Sequence, residues 1–206
     1  MICHRGTEAQ SLLFMESPGF LGDFVLLRQE ISVPRSRITL HNMSLKDGLL
    51  AEYDHETGTT RRLLERVPED KLSWKPHVKS MSLGGLATHL GNIPTWGGRI
   101  LGETFFDLAS APPSASELTS RTDILQRFDD SARQTRAAMD KTDPELMAMW
   151  TLRRGDQEIF AMPRITAFRT FVLYHIVHHR GQLSVYLRLS DVPLPSAYGP
   201  SADTKG

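Results

Sequence analysis

The chain has very little cysteine, no surplus of either charge and no long apolar run. It contains a single cysteine among 206 residues, which excludes an internal disulfide framework and any Cys₂ or Cys₄ zinc module within one chain. Lys and Arg number 24, as do Asp and Glu, whereas nucleic-acid-binding domains usually carry a basic excess. No apolar run approaches the about 20 residues of a membrane-spanning helix. We expect a globular, cytoplasmic protein that binds neither nucleic acid nor membrane.

Three catalytic signatures are also missing. A zincin metalloprotease has Glu directly after the first His of its helical pair, but Ile176 follows His175 here. Ferritin-like di-iron proteins need Glu-x-x-His pairs, and none falls on the core faces predicted below. A serine hydrolase of the α/β type needs a Gly-x-Ser-x-Gly elbow, which the sequence lacks. The sequence therefore excludes these three classes.

What the chain does have is helical periodicity, which begins abruptly near Met43. Residues 1–42 show no sustained period of 3.6 or 2, so we expect an N-terminal extension that is disordered or follows a mis-assigned start, with Met43 as the initiator. Residues 43–206 then form one domain. Amphipathic spacing predicts four helices in it, over residues 45–66, 83–103, 117–141 and 163–190.

Four helices of about 20–25 residues predict an all-α protein, a four-helix bundle. Pro94 should kink or interrupt the second helix, because proline lacks the N–H that an α-helix needs. Two short apolar runs flank Arg153-Arg-Gly155 between the last two helices. That pattern predicts a short β-hairpin, with a plain loop as the alternative.

Three of the eight histidines lie within five residues of the last helix. At 100° per residue, His175 and His179 fall 40° apart on the face predicted to be buried, and His178 falls 60° to one side. Imidazoles one turn apart can bind the same ion, whereas two unpartnered imidazoles in a core would be costly. The spacing therefore indicates a metal site, with His178 at its rim or in helix packing.

A third ligand is suggested by the second helix. His89 lies on the same stripe as Leu86, Ile93 and Trp96, so it also faces inward. Three histidines on two helices match a catalytic three-His site with one position left for water or substrate. One divalent ion is expected, and Zn²⁺, Ni²⁺, Mn²⁺ and Fe²⁺ all remain open.

Two further residues are candidates for binding a cofactor near this site. Gln182 lies 20° from His175 on the helical wheel and would hold a ligand or a water, or else be an ordinary polar residue at the rim of the bundle. Tyr53 on the first helix places a hydroxyl on its inner face, as do Thr57 and Thr60. These hydroxyls line the metal cavity or bind backbone carbonyls. Arg180 is expected to cap a carboxylate or to rim the pocket.

Several motifs occur in the order typical of one family. They are Trp74-Lys-Pro76, Leu83-Gly-Gly-Leu-Ala-Thr-His89-Leu90, His175-Ile-Val-His-His179-Arg-Gly-Gln182, Val192-Pro-x-Pro195 and Tyr198-Gly-Pro. From Met43 to about Ser201 the chain resembles the DinB family, damage-inducible metal-site bundles related to bacillithiol- and mycothiol-dependent transferases. The resemblance implies a four-helix bundle with a three-His metal site on His89, His175 and His179.

The resemblance also implies a reaction class. We expect a metal-dependent S-transferase that joins a low-molecular-weight thiol, of the bacillithiol, mycothiol or glutathione type, to a small electrophile. The alternatives are a metal-dependent hydrolase, since zinc lowers the pKa of bound water to about 7, and a non-catalytic metal-binding protein of the stress response. Association into a homodimer is compatible with a bundle of this kind.

Overall fold

The computed structural model describes residues 43–113 and 116–204. The N-terminal extension predicted for residues 1–42 lies outside the described residues. The prediction that Met43 is the initiator therefore stays a prediction. The first helix, α1, spans Leu45–Leu64. Ser44 caps it by accepting a hydrogen bond from the Asp47 N–H, and the Ser44 N–H donates to the Asp47 carboxylate, so a capping box starts the domain.

The predicted second helix is two helices, α2 over Leu83–Asn92 and α3 over Thr95–Gly102, with Pro94 between them. The break is stabilised by hydroxyls, because Thr95 Oγ1 donates to the Asn92 carbonyl at 2.7 Å and Thr135 Oγ1 donates to the Pro94 carbonyl. Gly97 allows α3 to approach Thr135 closely, since a Cβ at Gly97 would lie 2.3 Å from Thr135 Cγ2. The interruption predicted at Pro94 is confirmed.

Helix α4 spans Arg121–Ala138, shorter at both ends than the predicted 117–141. Ser120 accepts a hydrogen bond from the Asp123 N–H, so the cap lies three residues beyond the expected start. Asp143-Pro144 does not simply end a helix. With Thr142 as its cap, it begins a short helix, α5, over Asp143–Met147.

The hairpin predicted around Gly155 is confirmed, and it belongs to a three-stranded sheet. Strands β2 (Met149–Arg154) and β3 (Gln157–Pro163) pair antiparallel, and Gly155 has a φ of 59° in the turn. Strand β1 (Phe105–Asp107) pairs parallel to β2, with Phe106 opposite Leu152. The sheet order is β1-β2-β3.

The last helical stretch runs without a break from Arg164 to Leu189. It consists of α6 (Arg164–Phe168), a π-helical turn (Arg169–Leu173) and α7 (Tyr174–Leu189). Its buried side packs into one core with α1 to α4. Among the described residues, no helix has both the length and the apolarity needed to cross a membrane.

The prediction of an all-α four-helix bundle therefore needs correction. The described part of the chain is mostly helical, but it has five helices of eight residues or more and a three-stranded sheet. Pro94 divides one predicted helix into two. The sheet forms because Trp150 and Leu152 alternate with exposed or half-buried neighbours on β2, and so bury one face against the helices.

Candidate metal centre

The structure brings His89 of α2 together with His175 and His179 of α7. One nitrogen from each ring lies within 4.8 Å of the corresponding nitrogens of the other two. The ring centroids are 5.0 Å apart for His89 and His175, 4.4 Å for His89 and His179, and 4.7 Å for His175 and His179. In the part of the chain that the structure describes, this is the one cluster of three or more such side chains able to hold a metal ion.

The separation of the nitrogens suits a shared ion. His89 Nε2 lies 3.2 Å from His175 Nε2. Two imidazole nitrogens on one tetrahedral ion, each about 2.0–2.1 Å from it, are about 3.3–3.4 Å apart. The His89 and His175 nitrogens are therefore spaced for one shared divalent ion, and the His179 nitrogen lies within 4.8 Å of both.

A hydrogen bond outside the cluster orients one of the rings. The Gln182 amide oxygen lies 2.7 Å from His179 Nδ1, which assigns the proton to Nδ1 and leaves the Nε2 lone pair free. The Nε2 of His175 faces His89. His179 thus presents an unprotonated Nε2, the atom that a metal ion needs.

The surroundings of the cluster favour neutral imidazoles. Burial and the two neighbouring histidines lower the pKa of His89 from 6.5 to about 4. Burial also lowers the pKa of His175 and of His179, although hydrogen bonds to Phe171 and Gln182 act in the opposite direction. Since only the neutral form binds metal, the site is prepared for an ion at neutral pH.

The cluster lies at the edge of the core, not in the middle of the buried face as the helical wheel predicted. The deepest stripe of α7 is Ile176, Arg180, Leu183 and Leu187, whereas His175 and His179 are half-buried. The reason lies within α7 itself. Ile176, Leu183 and Leu187 follow one another at helical spacing and form its buried side, one residue along the wheel from the histidines. A π-helical turn over Arg169–Leu173 precedes α7.

A cavity of about 900 Å³ opens beside His89 and His175. Aromatic and aliphatic side chains make up much of its wall, and a few polar and charged groups interrupt them. The lining residues include Trp96, Phe106, Leu108 and Phe171, with Thr88, Asn92, Arg99, Glu117 and Arg127. A largely apolar cleft with a few polar groups is the usual form of a small-molecule site.

The other predicted site residues take different positions. Gln182 contacts the cluster through His179. Tyr53 does not line the cavity, and its buried hydroxyl donates to the Ala132 carbonyl at 3.1 Å. Thr57 and Thr60 donate to backbone carbonyls one turn earlier. The hydroxyls of α1 therefore bind backbone carbonyls and do not line the metal cavity. His178 is exposed, with its ring centroid 4.8 Å from that of His179.

Sequence reasoning missed the charged and aromatic wall of the cavity. Phe106 lies on β1, a strand that the sequence did not predict, and Trp96 was expected in the core but is half-buried in the wall. One signal was available for Arg99. It follows Trp96 by three residues, so helical spacing places both on the same side of α3.

Comparisons with known proteins bear on the fold and the family. Two solved structures share the fold. One, a DinB-like protein from Bacillus cereus, has 22% identity and a TM-score of 0.56, covering 76% of this chain and 99% of that chain. The other, a DinB-like protein from Bacillus subtilis, has 20% identity and a TM-score of 0.57, covering 73% and 96%. No curated protein matches the chain significantly.

A family model covers nearly all of the helical domain. The match runs over residues 42–205 and so includes His89, His175, His179 and the helices that carry them. The resemblance expected from the sequence motifs is confirmed, and this chain belongs to the DinB family.

Proposed function

We propose that this chain is a divalent-metal-dependent S-transferase that joins a low-molecular-weight thiol to a small electrophile in the cytoplasm, as part of a response to chemical stress. The observation that carries the proposal is the convergence of three imidazoles beside a cavity of about 900 Å³. A divalent ion bound there would lower the pKa of a thiol and keep it as the reactive thiolate at neutral pH.

The chain's own residues have defined tasks in this reaction. His89, His175 and His179 would supply three neutral ligands to the ion, and three-His sites of this kind keep a further position for substrate. Gln182 fixes the His179 ring in the required tautomer. The thiol proton leaves to solvent, and the sulfur forms its new bond to the electrophilic carbon as the leaving group departs.

The shape and lining of the cavity favour transfer between two organic molecules. The aromatic rings of Trp96, Phe106 and Phe171 lie against one another, with centroids 5.2 Å apart for Trp96 and Phe106 and 6.4 Å apart for Trp96 and Phe171. Such a wall excludes water and binds an apolar electrophile. Holding both partners in one cleft turns a bimolecular reaction into an effectively unimolecular one.

The test uses the full chain, first freed of metal by a chelator and then loaded separately with Zn²⁺, Ni²⁺, Mn²⁺ or Fe²⁺. An activated aryl chloride is offered with glutathione, cysteine, bacillithiol or mycothiol, and both the thioether and released chloride are measured. We expect turnover with at least one metal and thiol, lost in His175→Ala and kept in His178→Ala. Its absence from every combination, with folded and metal-loaded protein, would contradict the transferase.

A hydrolase is distinguished in the same experiment. Hydrolysis would consume a substrate without any thiol and form no thioether. Metal binding without turnover of either kind would leave a non-catalytic metal-binding protein as the correct description. The thiol dependence of product formation therefore separates the three functions.

A further inference from the structure

The cavity beside the histidines carries an excess of positive charge. Arg99 and Arg127 both line it, and Glu117 is the one carboxylate among its lining residues in the described part of the chain. His89 and His175 add no negative charge in either protonation state. The lining is therefore net positive, and a bound divalent ion would make it more so.

The Glu117 carboxylate already has a partner. Its Oε1 accepts a hydrogen bond from Ser82 Oγ at 2.6 Å, next to the start of α2. The two arginines differ from it. Across residues 43–113 and 116–204, neither Arg99 nor Arg127 forms an ion pair with an acidic side chain. Within the described part of the chain, both guanidinium groups are therefore available to an anion from outside.

Each arginine is placed by its neighbours. The Arg99 guanidinium carbon lies 4.4 Å from the centroid of the Phe106 ring, so the charge is held against the aromatic wall. The stem of Arg127 passes over α2 where Gly91 has no side chain, since a Cβ at Gly91 would lie 3.4 Å from Arg127 Cγ. Positive charge and aromatic surface therefore line the same cleft.

We propose that this cavity binds an organic anion with an apolar, planar body, the body against Trp96, Phe106 and Phe171 and the carboxylate on Arg99 and Arg127. The inference rests on the proposed function, because it gives the chemical class of a co-substrate used at that site. Guanidinium groups suit this task, since they bind carboxylates through two parallel N–H donors.

Calorimetry on the full chain treated with chelator tests the proposal without any activity measurement. The probes are trans-cinnamate and its neutral isostere, trans-cinnamamide. Metal is removed because a carboxylate would also bind the ion itself. We expect cinnamate to bind about tenfold more tightly than the amide, about 1.4 kcal/mol, and the preference to shrink as salt is raised.

Variants assign the preference to its residues. Arg99→Gln should reduce the preference for cinnamate until acid and amide bind nearly equally. Arg127→Gln should reduce this preference in part, and Arg99→Lys should retain part of it. Trp96→Leu should weaken both probes by a similar factor, because it removes apolar wall and no charge. Arg66→Gln is the matched control, since Arg66 is exposed and does not line the cavity, and it should change neither probe.

Two outcomes would overturn the inference: equal affinity for acid and amide in the parent protein, or a preference that survives the Arg99→Gln, Arg127→Gln double variant. Failure of the transferase proposal looks different. Thioether would then be absent with every metal and thiol, while the acid preference of the metal-free protein would remain.

Discussion

Helix α7 carries polar side chains on two sides, and the two sets are held in different ways. On one side, Arg180 is 3% exposed and its Nη1 lies 2.6 Å from Glu56 Oε2 and 3.1 Å from the Glu56 carbonyl. The Tyr198 hydroxyl bonds both Arg180 and Glu56, the latter at 2.9 Å. Opposite charges and hydrogen bonds thus satisfy one another within the chain, as a buried ion pair requires.

On the other side, neither His175 nor His179 pairs with an acidic side chain of the described residues. Gln182 accepts from Nδ1 of His179, whereas one nitrogen of each ring lies close to His89 and to the other ring. The two clusters show how structural and functional polar groups on one helix can be distinguished. In the Arg180 cluster each donor has an acceptor within the chain, so the cluster stabilises the fold. In the histidine cluster the acceptor nitrogens converge on one point, which suits them to binding a ligand.

The largest effects are expected from the ligands. His175→Ala and His179→Ala should each weaken metal affinity by more than about 100-fold, beyond the 10–100-fold typical of an outer hydrogen-bond partner. His89→Ala should do the same, because each removes one of three nitrogens. Titration with a competing chelator measures the change, with His178→Ala as the control. Loss of metal in His178→Ala with retention in His179→Ala would reverse the assignment.

A large effect of another kind is expected on the opposite side of α7. Arg180→Met should lower the free energy of unfolding by about 3 kcal/mol, because it leaves the largely buried Glu56 carboxylate without its opposite charge. Denaturant unfolding of the chelator-treated protein measures this. Arg188→Met is the matched control, since the Arg188–Asp203 pair is on the surface, where such pairs contribute about 0–1 kcal/mol.

The metal content of the same variant shows whether the Arg180 cluster and the histidine cluster are independent. Folded Arg180→Met protein should still bind about one ion per chain, because Arg180 does not contact the three histidines. Loss of the ion from folded Arg180→Met protein would show that the two clusters are coupled through α7.

A smaller effect is expected at Gln182. Gln182→Leu removes the acceptor of the His179 Nδ1–H, so the ring loses its fixed tautomer and metal affinity should fall about tenfold. Gln182→Glu keeps an acceptor at this position and should retain the affinity. The same chelator competition measures both, and equal affinity of Gln182→Leu and the parent protein would remove Gln182 from the site.

The smallest expected effect is a shift in the pH at which the metal ion is lost. The ordinary histidine pKa of 6.5 alone would place metal loss near pH 6, but the pKa of His89 is lowered to about 4 and those of His175 and His179 are also lowered. Lowered values keep the rings neutral in more acidic solution, so protons compete less well with the ion. We expect retention below pH 6 and loss toward pH 4. Complete loss by pH 6 would contradict a lowered pKa of the three rings.

The sequence predicted the parts of the site that depend on local spacing. The i, i+4 spacing of His175 and His179, the stripe of His89, the break at Pro94 and the turn at Gly155 are all local properties, and each agrees with the structure. The features that were not predicted depend on contacts with residues far away in the sequence. Strand β1 is three residues long and pairs with a strand more than 40 residues away, and a parallel pairing of this kind has no local signature.

The π-helical turn over Arg169–Leu173 was not predicted either, because no residue in it requires such a turn. The histidines are less deeply buried than the helical wheel predicted, because Ile176, Leu183 and Leu187 form the buried side of α7, about 100° from His175. Arg180 was expected to cap a carboxylate or to rim the pocket, and the first is confirmed at Glu56, a residue 124 positions earlier in the chain.

We propose that the three histidines hold one ion that can also bind a thiol. Absorption spectroscopy tests this when the metal-free chain is titrated first with Co²⁺ and then with a low-molecular-weight thiol. We expect ligand-field bands that saturate at about one ion per chain, followed by a thiolate-to-metal charge-transfer band when the thiol is added. Saturation at two ions, or a spectrum that the thiol does not change, would contradict it.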